Sequence, residues 1–205
     1  MGRVDPRKQR TMDALIQAGQ EMFRDRSVDD VTVEEIADRA GVAVGSIYNH
    51  FGSKAGLQAA VVGHALEADR HYMDRAYTTE RTPVEQIYAA AEQYLGFYLD
   101  HPDYFRMLAF PGAPGQYAAG QELSERLAGA VDQQNRRLVE ALRSGVESGD
   151  LRAVDPEEVA TILWAAWNGV ISLGWRQDRL RRDEAELRAL LATATEIVAT
   201  GLLVR

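Results

Sequence analysis

The sequence predicts an all-α protein with about nine helices. Apolar residues recur at helical spacing through most of the 205 residues. Strand-type alternation is not convincing anywhere, and strongly β-branched runs are scarce. Signals for helix starts and helix stops divide the chain into segments. We predict a small N-terminal helical domain, residues 1–56, and a larger C-terminal helical domain, residues 57–205.

Composition excludes several kinds of chemistry. The chain has no Cys, which removes disulfides, thiolate metal ligands and cysteine nucleophiles. No metal-ligand pattern, catalytic triad, phosphate loop or dinucleotide fingerprint occurs, so we expect no enzyme activity, metal or cofactor. The longest uncharged run, 17 residues from Val159 to Trp175, is shorter than a membrane span. The N-terminus has no signal-peptide pattern, and we expect a cytoplasmic protein.

Three short helices are predicted in the first domain. The first has an apolar stripe from Met12 to Phe23. The second begins with a capping box formed by Thr32 and Glu35, and it stops at Gly41. The third covers residues 44–50.

The second domain is predicted to have longer helices with clear start signals. Ser53 is placed to cap the first of them, and Pro marks the first turn of two others. The predicted spans are about residues 53–79, 83–100, a short helix around Phe105, and residues 121–148, 156–176 and 183–203.

Residues 33–50 have the spacing of a helix-turn-helix, with the turn at residues 40–43. Ile36 and Ile47 are among the apolar positions that pack the two helices together. The outward surface of the second helix is small, polar and uncharged, which suits contact with base edges and phosphate oxygens. These positions are Val44, Gly45, Ser46, Tyr48, Asn49 and His50.

The segment VTVEEIADRAGVAVGSIYNHFGSK, residues 31–54, resembles the DNA-binding domain of TetR-type transcriptional regulators. Its most specific part is Ile47 to Phe51, followed by Ser53 and Lys54. The match covers roughly residues 10–60. The length and the all-helical remainder extend the resemblance in architecture over the whole chain.

The resemblance implies a DNA contact at eight positions. Those at the start of the recognition helix would face the major groove, and most of the others would hold phosphates. Asn49 would reach either the backbone or a base. The base-facing positions are Val44, Gly45 and Ser46, and the phosphate-contacting positions are Thr32, Tyr48, His50 and Lys54.

Two positions depart from the family's pattern. Position 43 is often a Ser N-cap, and Ala43 gives up that cap at a cost of about 1 kcal/mol. Position 56 is often acidic and closes a capping box with residue 53, which Gly56 cannot do. We therefore expect a recognition helix that is marginal in the free protein and firms up on DNA.

Positive charge is concentrated at the N-terminus, although the net charge is −8. Residues 1–56 contain eight Lys or Arg against nine Asp or Glu, whereas residues 57–205 contain 15 against 22. Within Arg3–Arg10 four basic residues stand against Asp5 alone. We expect a basic arm ahead of the first helix that tracks a phosphate backbone or a minor groove, with a solvated tail as the alternative.

The resemblance also implies a ligand cavity among the middle helices. Aromatic residues in a helical bundle are more often core than ligand contacts, and buried amides are either satisfied internally or hold an effector. The aromatic content favours an apolar or aromatic effector. The candidate ligand contacts are Tyr94, Tyr98, Phe105, Phe110, Gln134, Trp164, Trp167 and Asn168.

The last two helices combine small residues with Leu, Ile and Val, which favours a four-helix dimer interface, as the resemblance also implies. Burial within one subunit is the alternative. A two-fold dimer would present two recognition helices to one face of DNA and would read a near-palindrome.

Together these features predict a ligand-responsive, sequence-specific DNA-binding regulator, and we expect a repressor that a small-molecule effector releases. One alternative is a helical small-molecule-binding protein without a DNA role. Another is an enzyme built on a helical bundle, which no catalytic constellation in the sequence supports.

Overall fold

The computed structural model describes residues 5–23, 26, 30–109 and 120–203. Within these residues the chain forms nine α-helices, and a short 3-10 helix follows the eighth, which confirms the all-α prediction. In chain order they are α1 Pro6–Phe23, α2 Val33–Ala40, α3 Gly45–Phe51, α4 Lys54–Ala76, α5 Pro83–Asp100, α6 Pro102–Ala109, α7 Gly120–Ser148, α8 Pro156–Ser172, the 3-10 helix Leu173–Trp175 and α9 Glu184–Leu202.

The chain divides by packing into two compact units. The first comprises Met1–Glu67 and Asp103–Gly129, and the second comprises Ala68–Pro102 and Ala130–Arg205. Helix α4 begins in the first unit and ends in the second. The boundary predicted between residues 56 and 57, where short helices give way to long ones, stays a prediction.

Side-chain caps define where the helices begin. The capping box of α2 is present as predicted. The Thr32 hydroxyl accepts a hydrogen bond from the Glu35 N–H at 3.1 Å, and the Glu35 carboxylate accepts one from the Thr32 N–H at 2.8 Å. Asp155 caps α8 through the N–H groups of its first turn. Since the first N–H groups of a helix have no partner within it, these caps fix the starting residues.

The first helix begins earlier than the apolar stripe indicates. The Asp5 carboxylate accepts a hydrogen bond from the Arg7 N–H at 2.9 Å, and Pro6 is the first residue of the helix. Arg7 and its basic neighbours Lys8 and Arg10 therefore lie exposed on α1. The expectation that they form an arm ahead of the first helix is wrong, and Arg3 lies outside the described residues.

Each unit has its own apolar core. In the first unit Leu15, Val31, Ile36 and Ile47 are fully buried, and α1 packs against α2 and α3. In the second unit α5, α8 and α9 pack together around buried residues that include Leu95, Leu163, Ile171 and Leu187. Among the described residues no helix combines the length and the hydropathy needed to cross a membrane.

Gly56 stands where the start of α4 passes very close to the end of α3. A Cβ at this position would lie 2.0 Å from the carbonyl oxygen of Phe51. The Gly56 N–H donates to the Ser53 hydroxyl at 3.0 Å, so Ser53 caps α4 as predicted. The acidic residue of the family's pattern is therefore excluded here by a backbone contact.

Replacing Gly56 with Ala is expected to lower the free energy of unfolding by about 1–3 kcal/mol, because the new methyl group overlaps backbone atoms that cannot swing aside. Gly63 on the same helix provides the matched control, since a Cβ there meets nothing within 4 Å. Gly63→Ala should be neutral or stabilising by up to about 1 kcal/mol. Urea unfolding of both variants measures the difference, and equal stabilities would contradict the close contact.

Candidate nucleic-acid interface and buried polar cluster

The candidate recognition helix, α3, has one buried side chain. It is seven residues long, too short to be stable in isolation. Ile47 is its buried residue, with no exposed surface, and α3 packs against both α1 and α2. The turn before it depends on Gly41, whose φ of 67° lies in the left-handed region that favours glycine.

Helix α3 begins without a side-chain cap. Val44 already has helical angles, φ −51° and ψ −40°, and the Ser46 N–H donates to the Ala43 carbonyl at 2.9 Å. Ala43 therefore stands in the N-cap position and offers no side-chain acceptor. The missing cap predicted at position 43 is confirmed. That the helix firms up on DNA stays a prediction.

The predicted base- and phosphate-facing positions of α3 share one outward surface. Gly45 faces open space, since a Cβ built there would meet nothing within 4 Å. Tyr48 is 52% exposed, a large fraction for an aromatic side chain. The exposed positions are Gly45, Tyr48 and Asn49, and the half-buried ones are Val44, Ser46 and His50. This surface has no acidic side chain, so nothing on it repels a phosphate.

Thr32 and Lys54, the two predicted phosphate contacts outside α3, are engaged within the protein. The Thr32 hydroxyl and N–H both bond to Glu35. The pKa of Glu35 is lowered to about 2 by hydrogen bonds from Arg26 and from the Thr32 backbone, so this carboxylate is ionised. The Lys54 ammonium donates to the Val31 carbonyl at 2.8 Å, which ties the start of α4 to the residue before the α2 cap.

Three predicted effector contacts in the second unit form a closed hydrogen-bond network instead of an open site. The Tyr94 hydroxyl donates to Asn168 Oδ1 at 3.0 Å, and Asn168 Nδ2 donates to the Trp164 carbonyl at 2.9 Å. The Trp164 indole N–H in turn donates to the Tyr94 hydroxyl. Of the two alternatives for the buried amide of Asn168, internal satisfaction is the one observed.

The remaining aromatic candidates pack in apolar cores. Trp167 is buried, and its indole N–H donates to the Thr195 hydroxyl at 3.0 Å. Tyr98 meets the Trp175 ring edge-on at 5.6 Å between ring centres. Phe105 is fully buried and belongs to the first unit, and Phe110 lies outside the described residues. Ligand contact at these four positions stays a prediction.

Gln134 differs from Asn168, because its amide oxygen is buried and has no hydrogen-bond partner. Its amide N–H donates to the carboxyl group of Asp69, which is only 7% exposed. Burial raises the pKa of Asp69 to about 7, and the hydrogen bond from Gln134 and the charge of Arg137 oppose that rise. An ionisable acid in a poorly solvated place is a recognised sign of a functional site.

Among the residues that the structure describes, the positive charge that acts on Asp69 is that of Arg137, and this charge is already paired. Arg137 bonds to Asp74 at 2.8 Å and lies 4.8 Å above the Tyr77 ring centre. Burial raises the pKa of both Tyr77 and Tyr94, and the charge of Asp69 adds to each rise. The cluster therefore combines a buried acid with two phenol groups that stay neutral.

Sequence reasoning missed Asp69, although a signal for it exists. Asp69 lies on the buried face of α4 among apolar residues at helical spacing, Val62, Ala65, Met73 and Ala76. The same signal, a polar residue in an apolar stripe, led to Gln134. Among the described residues no group of His, Asp and Glu is placed to hold a metal ion.

Comparison with known proteins places both parts of the chain in one group. The family model "Bacterial regulatory proteins, tetR family" matches residues 15–61, which include α2 and α3. A second model, "Tetracyclin repressor-like, C-terminal domain", matches residues 87–198, which is more than half of the chain.

Individual relatives agree with the family models. The chain is 35% identical over 75 residues to the HTH-type transcriptional repressor KstR2 of Mycolicibacterium smegmatis, a match that spans 37% of each protein. It is 26% identical over 162 residues to the transcriptional regulator AcuR of Cereibacter sphaeroides, spanning 77% of this chain and 73% of AcuR. The crystal structure of a bacterial regulatory protein in the tetR family from Rhodococcus RHA1 has the same fold, with a TM-score of 0.76 at 17% identity over 95% of this chain and 98% of that one.

Replacing Asp69 with Asn is expected to stabilise the fold near neutral pH and to change little in acid. The carboxyl pKa is about 7 in the fold against an ordinary 3.8, so between these values the native state holds a proton that the unfolded chain releases. Stability therefore falls as the pH rises through this window. At about 1.4 kcal/mol per pKa unit, the gain above pH 7 is of order 2–4 kcal/mol.

Urea unfolding at several pH values measures this gain. Asp132→Asn on exposed α7 surface is the control, because a solvated carboxylate loses little on neutralisation. A variant no more stable than the wild type above pH 7 would contradict the burial of Asp69.

Proposed function

Because this chain belongs to the TetR family of bacterial regulatory proteins, we propose that it is a dimeric repressor that a small-molecule effector releases from its operator. It is a helix-turn-helix DNA-binding transcriptional regulator rather than an enzyme. The proposal extends to the residues that contact DNA, the dimer, the effector and the direction of regulation. Because the DNA that it would bind is chromosomal, we propose that the protein is cytoplasmic.

The outward surface of α3 is the observation that carries this proposal. Ile47 fixes the helix, and the opposite side presents a bare Gly45, the small Ser46 and the exposed Tyr48. A helix that begins with small residues and has no acidic outer face can lie deep in the major groove, where base edges are read. We propose that Val44, Gly45 and Ser46 face the bases and that Tyr48 and His50 reach the flanking phosphates. Asn49 would reach either the backbone or a base.

Thr32 and Lys54 have a different proposed role, since the free protein already uses both. A phosphate at the start of α2 would take the backbone N–H of Thr32 away from the ionised Glu35. Lys54 holds Val31 and places its positive charge at the start of α4, next to the same segment. Both residues would position the helix-turn-helix on the phosphate backbone and would carry little sequence information.

A second copy of the chain is the proposed partner of α8 and α9. Ile162 on α8 is 57% exposed, and Ile197 on α9 is 69% exposed. Around them lie small exposed residues that permit close packing, Ala165 and Gly169 on α8 and Gly201 on α9. An apolar face of this kind on two packed helices is typical of an interface between subunits. The matching halves of a near-palindromic operator would then face two copies of α3.

The effector is proposed to bind within the predicted C-terminal domain, residues 57–205, and to be apolar or aromatic, as the aromatic side chains there favour. KstR2 is named as a repressor, which supports repression as the direction of control. By thermodynamic linkage the effector and the operator must weaken each other's binding by the same factor. Helix α4 contains residues of both units and is the element through which we propose that the two sites are coupled.

Two substitutions on α3 are expected to affect DNA binding in different ways. Gel shifts with DNA from the promoter region beside the chain's own gene measure this binding. Tyr48→Phe removes a phosphate hydrogen bond, so it should weaken binding about five- to tenfold on every sequence that binds. Ser46→Ala changes a base-facing group, so it should weaken some operator variants and spare others.

The wild type must first give a salt-sensitive, sequence-dependent shift. Absence of such a shift on all promoter fragments would favour the alternative, a small-molecule-binding protein without a DNA role. A uniform loss on all sites in Ser46→Ala would overturn the base-facing role of Ser46 alone.

The replacement Ile197→Glu is expected to convert the dimer to a monomer, because it would bury two charges in the interface. Size-exclusion chromatography with light scattering gives the mass, and operator affinity should fall at least about a hundredfold because one recognition helix no longer assists the other. Leu180→Glu is the matched control, since Leu180 is 45% exposed but lies outside α8 and α9. A dimeric Ile197→Glu variant would contradict the proposed interface.

A further inference from the structure

We propose that Arg26 is a further contact to the DNA backbone, and that Glu35 is an internal competitor that holds the place of a DNA phosphate until the operator binds. This inference rests on the proposed function. It adds a residue that the helix-turn-helix pattern does not mark, since Arg26 precedes α2. It also gives Glu35 a role in DNA binding besides its role in the capping box.

The Glu35 carboxylate is held by donors from two parts of the first unit. The Arg26 guanidinium donates to it from both terminal nitrogens, Nη1 to Oε1 at 3.0 Å and Nη2 to Oε2 at 3.3 Å. The Thr32 N–H and hydroxyl donate to Oε2 at 2.8 and 3.1 Å. Arg26 and Thr32 therefore converge on one oxygen atom of Glu35.

These donors suit a phosphate as well as they suit a carboxylate. A guanidinium group presents a planar fork that matches two oxygens of either anion, and backbone N–H groups and hydroxyls are common phosphate ligands in protein–DNA complexes. A phosphate oxygen in the position of Oε2 would meet Thr32, which is already proposed to contact the backbone, and would lie within reach of Arg26. The phosphate that Thr32 holds is therefore one that Arg26 also holds.

Arg26 and Glu35 are accessible to DNA. Their side chains are 40% and 42% exposed, so a phosphate can reach the ion pair without opening the core. A further bond from the guanidinium to the Asp30 carbonyl keeps Arg26 beside the start of α2 when Glu35 moves away. Since an exposed ion pair contributes little to stability, the exchange of one anion for another at Arg26 has a small cost.

Glu35 opposes the incoming phosphate through its charge and its position. Hydrogen bonds from Arg26 and from the Thr32 backbone lower the pKa of Glu35 to about 2, so the carboxylate is ionised whenever DNA binds. It occupies the donors that the phosphate needs, and two like charges side by side repel each other. The carboxylate must therefore turn out to solvent. Because phosphates carry no sequence information, this competition weakens binding to every DNA sequence by the same factor.

The salt dependence of operator binding tests the contact at Arg26. Fluorescence anisotropy of the full chain on the promoter DNA gives the affinity from about 50 to about 200 mM salt. Arg26→Gln should weaken binding about tenfold on all operator variants, and it should flatten the slope of log affinity against log salt by about two, one contact for each copy of the chain on the operator. Arg26→Lys keeps the positive charge and should keep the slope.

The replacement Glu35→Gln tests the competition. Glutamine can still close a capping box, so α2 should stay in place while the negative charge is gone. Binding should tighten about fivefold on every sequence, although the loss of the ion pair should slightly lower the urea midpoint. Glu34→Gln is the matched control, because Glu34 is exposed on the same turn of α2. It should change the affinity by less than about twofold.

A double variant separates contact from support. An Arg26 that only held Glu35 in place would have no effect on affinity once Glu35 is replaced by Gln. We expect instead that Arg26→Gln in the Glu35→Gln background still weakens binding about tenfold and still flattens the salt slope. The Arg26 single variants do not depend on Glu35→Gln, so an unstable Glu35 variant leaves the test of the contact intact.

An unchanged salt slope in Arg26→Gln, or the loss of its effect in the double variant, would overturn the contact at Arg26. Unchanged or weaker binding by a folded Glu35→Gln variant would overturn the competition. In either case the wild type still shifts its operator, so the proposed function stands. A wild type that gives no salt-sensitive, sequence-dependent shift fails as a DNA-binding regulator, and the role of Arg26 is then wrong as well.

Discussion

The burial of Ile47 is the interaction on which the DNA-binding half of this molecule depends. Seven residues cannot hold a helix in water, because the cost of the first turn is recovered only over a longer run or by tertiary packing. Helix α3 is stabilised by burying Ile47 and by packing against α1 and α2, whose own buried residues include Leu15 and Ile36. A single buried position per two turns leaves the rest of the helix free to be selected for contact with DNA. The orientation of every outward side chain on α3 follows from that one anchor.

Much of this arrangement could be predicted from local sequence, because caps and stops are local physics. The Thr32–Glu35 box and the cap at Asp155 each need only residues within one turn, and both are where the sequence indicates them. The early start of α1 uses the same Asp–Pro signal at Asp5 and Pro6. The apolar stripe alone, which begins at Met12, predicts a later start. A stripe reports which face is buried, whereas a cap reports where the backbone becomes helical.

Other features could not be predicted, because they depend on atoms that are distant in sequence. From the sequence alone, Gly56 indicates only that the acidic capping residue of the family's pattern is absent. In the fold, a Cβ at this position would lie 2.0 Å from the Phe51 carbonyl oxygen. Likewise Asn168 and Gln134 look alike as amides in apolar stripes. Their difference is set by partners on other helices, since Tyr94 satisfies the oxygen of one and no side chain satisfies the oxygen of the other. Only tertiary structure separates a structural amide from one with an unused acceptor.

A local stabilising rule is broken at α3, where function is proposed. Helix α3 lacks an N-cap side chain, and its second residue is a serine exposed enough to meet a base. The second unit retains an ionisable acid in its interior beside an unpaired amide oxygen, at a cost that apolar residues would not incur. Natural sequences keep such departures where a partner compensates for them. At α3 we propose that DNA is this partner, so that binding relieves a deficit that the free protein bears. A ligand that relieves such a deficit in only one conformation shifts the population toward it, and this is the physical requirement for an effector that controls DNA binding.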